Sequence, residues 1–93
     1  MKLDNDTRYD SRVLRAIMHA VHAHEVGMGQ GRLPTWPQLT VRVGYRRRQD
    51  DATYSGYAYY HGRFARLSVP RTGVLDVARF AAVFRHELWH LYG

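Results

Sequence analysis

The chain has no cysteine, which excludes disulfides and thiolate metal sites, so a bound metal must be held by His, Asp or Glu. Lysine is almost absent as well, since 13 of the 14 basic residues are Arg. Glutamate occurs only at Glu25 and Glu87, against six His. No apolar run approaches the roughly 20 residues that span a bilayer. The opening Met1-Lys2-Leu3-Asp4-Asn5-Asp6 also lacks the apolar segment of a signal peptide. A cytoplasmic protein without membrane association is therefore expected.

What remains is enough for one small domain. Ninety-three residues, 45% of them hydrophobic and regularly patterned, suit a folded unit over residues 1–93 with a modest core. The net charge of +6 favours polyanions, and nucleic acid contacting an Arg-rich surface is one partner it suggests. The plainer alternative is that Arg serves wherever a solvated cation is tolerated.

The periodicity predicts a helix from about Thr7 to Gly27, with Asp6, Thr7 or Asp10 as cap and Gly27 and Gly29 as stop. Val13, Leu14, Ile17, Met18, Val21 and Met28 share one arc of about 140°. Gly29 to Pro37 reads as a loop. Leu39, Val41, Val43 and Tyr45 then alternate with polar residues, as in a half-buried strand. Arg46 to Asp51 is a charged connection, and a Tyr-rich strand follows from about Thr53 to Tyr60. A His61-Gly62 turn leads to a third strand over Arg63–Val69, ended by Pro70. A final helix starts after Asp76. The expected fold is α+β: an N-terminal helix, a three-stranded, mostly antiparallel sheet, and a C-terminal helix.

The last eight residues, His86-Glu87-Leu88-Trp89-His90-Leu91-Tyr92-Gly93, spell H-E-x-x-H-x-x-G. Two histidines four apart stand one turn above the other on a helix, so both imidazoles can reach one Zn²⁺, and the intervening glutamate can take a proton from water. With His86 at 0°, His90 falls at about 40°, Val83 at about 60° and Glu87 at about 100°. Phe80, Leu91, Phe84, Val77, Leu88 and Ala81 lie between about 120° and 220°. The His pair therefore faces away from the apolar stripe, with open space in front of it. The competing reading is two ordinary solvated histidines.

The run Gly62-Arg63-Phe64-Ala65-Arg66-Leu67-Ser68-Val69-Pro70, leading through Phe80 to Arg85 into His86-Glu87-Leu88-Trp89-His90, resembles the small SprT-like zincins, a group of HExxH metallopeptidases. The resemblance implies a zincin upper subdomain in which His86 and His90 are zinc ligands and Glu87 is the catalytic base. It further implies peptide-bond hydrolysis, with the third strand as the sheet edge that receives an extended peptide or protein substrate. Proteins of this kind are associated with DNA-bound substrates, which a basic surface would suit. In zincins the third ligand normally follows the motif. The sequence ends at Gly93, so the domain is expected to be incomplete at its C-terminus, or to draw a ligand from elsewhere in the fold or from a partner that completes the site or core.

Among the other histidines, His19 and His22 are expected to be solvated, and His24 to be a hydrogen-bonded core residue. His61 would reach a metal only if its hairpin folded over the site. Tyr54, Tyr57, Tyr59 and Tyr60 beside Arg46, Arg47, Arg48, Arg63 and Arg66 can stack bases and neutralise phosphates, or simply suit a half-wet sheet. The alternative to a zinc metallopeptidase is thus a small basic module that binds nucleic acid or a protein without catalysis.

Overall fold

The computed structural model describes residues 1–29, 32–45, 54–59 and 63–91. The element order is β1 (Lys2–Asn5), α1 (Ser11–Gly27), a 3-10 turn (Trp36–Gln38), β2 (Thr40–Tyr45), β3 (Ser55–Tyr59), β4 (Phe64–Val69) and α2 (Val77–His90). Two helices packed on one sheet make the α+β fold that the sequence predicts.

Both helices begin where short acidic side chains can satisfy free N–H groups. Asp10, rather than Asp6 or Thr7, caps α1, its Oδ1 accepting from the Arg12 N–H at 2.7 Å. Asp76 caps α2, its Oδ1 accepting from the Arg79 N–H at 3.1 Å. Within the loop that follows α1, Thr35 and Gln38 form a capping box that fixes the 3-10 turn. The Thr35 N–H donates to Gln38 Oε1 at 2.9 Å.

The sheet differs from expectation in strand number and direction. It has four strands in the order β1-β2-β4-β3, and two of its three pairings are parallel. The additional strand, β1, is a short stretch in which only Leu3 turns toward the core, so it carries too little alternation to be recognised locally. The chain returns from β1 through α1 to β2, and such a crossover makes the two strands parallel. β3 and β4 are antiparallel, as expected for neighbouring strands joined by a short connection. The His61-Gly62 turn and the charged run from Arg46 to Asp51 lie outside the described residues.

One face of the sheet carries the core. Val41, Val43, Ala65, Leu67 and Val69 are buried there against Leu14, Met18 and Val21 of α1 and Phe80, Phe84 and Leu88 of α2. The buried arc of α1 is rotated from the one read in the sequence. It runs through Leu14, Met18, Val21, His22 and Glu25, while Val13 and Met28 are exposed. The rotation follows from what surrounds the helix: α2 packs beside it, and Pro34 closes over its last turns. In consequence His22, not His24, is the core histidine, with Nε2 2.8 Å from the Pro34 carbonyl oxygen. His24 is exposed.

Candidate metal centre

The packing of α2 decides what its motif presents. Phe80, Phe84, Leu88 and Leu91 are buried, which turns His86 and His90 outward. Their Nε2 atoms are 3.1 Å apart, and the rings meet at 80° with centroids 4.7 Å apart. Two nitrogens bound to one tetrahedral zinc, each about 2.05 Å from it, would stand roughly 3.3 Å apart. The two Nε2 atoms thus stand at close to ligand spacing, a distance at which one ring donates to the other when no metal is held.

Glu87 occupies the position between the histidines and the core, and its side chain is buried at 3% exposure. It packs against Gly56 of β3. A Cβ at Gly56 would stand 2.9 Å from the Arg66 carbonyl oxygen, 2.9 Å from Leu67 Cδ2 and 3.1 Å from Glu87 Cγ. A backbone oxygen cannot step aside as a flexible side chain can, so the close approach of β3 to α2 requires glycine here. Gly56 was not among the candidate residues, although an isolated glycine inside a Tyr-rich strand is a signal of such an approach. Gly56→Ala is expected to lower stability by about 1–3 kcal/mol through overpacking. Gly44→Ala on β2, where an added Cβ meets nothing within 4 Å, should change it little. Urea unfolding of the two variants checks the contrast.

Between β3 and α2 runs an open groove of about 560 Å³. Tyr54, Gly56 and Ala58 form one wall, and His86, Glu87 and His90 the other. The three motif residues thus share one groove along the edge of the sheet. That edge is β3, not the third predicted strand. Residues 64–69 form β4, which is hydrogen-bonded on both sides, by β2 and by β3. The inward side chains of β4, Ala65, Leu67 and Val69, are at most 1% exposed, as befits a central strand.

The donor set fits zinc as far as it extends. It consists of two imidazoles, both nitrogen ligands, converging at an exposed position. Among the described residues no group of three His, Asp or Glu side chains comes together, so a third protein ligand is not found there. His61 and the last two residues lie outside the described set. The second histidine cluster does not assemble a site. His22 is occupied with Pro34, His19 meets the Trp36 ring edge-on at 4.9 Å, and His24 points to Glu25 from 3.8 Å.

Glu25 has a different part. Its carboxylate, on α1 and buried, forms an ion pair with Arg85, whose Nε is 2.9 Å away, and accepts from Trp89 Nε1 at 3.3 Å, both on α2. Arg85 and Trp89 each immediately precede a motif histidine. The pair of contacts therefore sets the rotation of the turn of α2 that carries His86 and His90.

Among the described residues no helix is long and apolar enough to cross a membrane. Comparison with protein-family models, curated proteins and solved structures gives no match.

Proposed function

We propose that this chain carries the active-site half of a zincin-type zinc metallopeptidase, with His86 and His90 as zinc ligands and Glu87 as general base. The observation that carries the reading is the spacing of the two Nε2 atoms, 3.1 Å apart, in a groove that Glu87 also lines. Zinc, when held there, would supply Lewis acidity toward water and toward a peptide carbonyl.

The chain's own residues would do the rest. Glu87 takes the proton from the attacking water and returns it to the leaving amine, which requires a carboxylate held still beside the histidines. Gly56 lets β3 come close enough to hold it. β3 is the outer strand, paired with β4 alone among the described strands, so its free edge can pair with an extended peptide lying along the groove. Two protein ligands are one short of the usual catalytic set. In this reading the third comes from residues outside the described ones or from a partner that completes the site.

The test is metal content. The purified chain is expected to take up zinc, and His86→Ala and His90→Ala are each expected to abolish that uptake. Wild-type protein that stays metal-free at stoichiometric zinc, or uptake that survives both substitutions, overturns the reading.

A further inference from the structure

The core lies on one face of the sheet, and the opposite face has a composition of its own. Strand alternation sends Gly56 and Ala58 of β3 toward α2 and Ser55, Tyr57 and Tyr59 to the opposite face, although Ser55 and Tyr57 still border the groove. The same alternation turns Phe64 and Arg66 of β4, Arg42 of β2, and Lys2 and Asp4 of β1 to the outer face. Register aligns them in two rows across the sheet. One row runs Tyr57, Arg66, Arg42, Asp4, and the other Tyr59, Phe64, Thr40, Lys2.

The aromatic members form a continuous patch. The Tyr57 and Tyr59 rings meet edge-on at 5.3 Å, and Tyr59 and Phe64 lie 5.6 Å apart at 39°. Tyr57 is 44% and Tyr59 56% exposed, and both helices pack on the other side. The cations stand immediately beside the rings. A hydrogen bond with Tyr59, then the neighbouring Arg66, hold the Tyr57 hydroxyl below the usual tyrosine range, and the same bond holds that of Tyr59 above it.

Within these two rows Lys2, Arg42 and Arg66 stand against Asp4. The pair that Asp4 forms with Arg42 is long, at 3.6 Å, and exposed on both sides, so a phosphate can displace it at little cost. Large exposed aromatic rings interleaved with arginine are poorly suited to water alone. They suit a ligand with flat π-faces on a polyanionic backbone, and the chain's net charge of +6 has the sign that draws one in. Duplex DNA hides its π-faces, whereas a single strand offers them.

We propose that the outer sheet face binds single-stranded nucleic acid, with bases stacked on Tyr57, Tyr59 and Phe64 and phosphates held by Arg66 and Arg42. The site lies on the other face of the sheet from the histidines, and Tyr57 borders both it and the His86–His90 groove. β3 serves both, its small residues facing α2 and its tyrosines facing the bases. The proposal does not depend on zinc.

The test is fluorescence anisotropy of a labelled oligodeoxythymidylate titrated with the full chain. Binding is expected to fall steeply between roughly 50 and 200 mM salt. Tyr57→Ala and Tyr59→Ala should each weaken it about tenfold, while Tyr→Phe at either position retains it. Arg66→Ala should flatten the log–log salt slope by about 0.7. His86→Ala should leave binding unchanged. Circular dichroism melts of the tyrosine variants should match the wild type, because the rings lie outside the core. The proposal is overturned if both alanine variants bind as wild type, or if the phenylalanine variants lose as much as the alanine ones. It is equally overturned if polyglutamate or anionic phospholipid vesicles displace the oligonucleotide charge for charge.

Discussion

Glu87→Gln is expected to leave zinc uptake within about twofold of wild type while lowering peptide hydrolysis by roughly 10²–10⁴-fold, the usual contribution of a positioned general base. The substitution keeps the shape of a side chain that is 3% exposed and packed against Gly56, so the groove should keep its form. What it removes is the capacity to accept a proton. The comparison is informative because His86→Ala would act on the other quantity, abolishing zinc and activity together. Hydrolysis of a quenched fluorescent peptide, with metal content measured on the same samples, separates the two. Glu87→Gln protein as active as wild type would remove Glu87 from the chemistry, whatever the metal result. A thermal midpoint near that of wild type should accompany the loss, since the packing against β3 is retained.

The parts legible in the sequence are those set by local periodicity. The final helix and its Asp76 cap follow from a spacing of 3.6 residues and one acidic side chain, and so does the separation of His86 and His90 from the Phe80–Phe84–Leu88 stripe. The strand at residues 40–45 follows in the same way from the alternation of Val41 and Val43 with polar neighbours. What local pattern does not contain is pairing. Nothing in Phe64–Val69 states that it will be flanked on both sides, and the choice of β3 as the edge depends on where the chain passes after β2. Helix rotation is equally non-local. His22 and His24 are chemically identical, and what packs on the helix, α2 beside it and Pro34 and Trp36 over His22, decides which is buried. Gly56 was readable as a close approach but not as an approach to Glu87, because that contact joins residues 31 positions apart.

The largest stability change is expected from Glu25→Ala. Its carboxylate is the joint between the two helices, paired with Arg85 Nε at 2.9 Å and accepting from Trp89 Nε1 at 3.3 Å, with only 7% of the side chain exposed. Removing one partner of a buried ion pair costs about 3–5 kcal/mol when the other is left in the interior. Arg85 is 39% exposed and can turn its guanidinium toward water, which brings the expected loss down to about 2–3 kcal/mol. At about 4–8 °C per kcal/mol for a domain of this size, the midpoint should fall by roughly 10–20 °C. Glu25→Gln retains an acceptor for Trp89 and the packing volume, so its loss should be smaller. Arg85→Met, which removes the charge while leaving an apolar stem, tests whether the pair itself or the unpaired residue carries the cost. The consequence for the site is specific. Arg85 and Trp89 precede His86 and His90, so a loosened α2 should weaken zinc uptake at temperatures well below unfolding. Glu25→Ala protein that melts with the wild type and binds zinc as tightly would show that the apolar stripe alone fixes the helix.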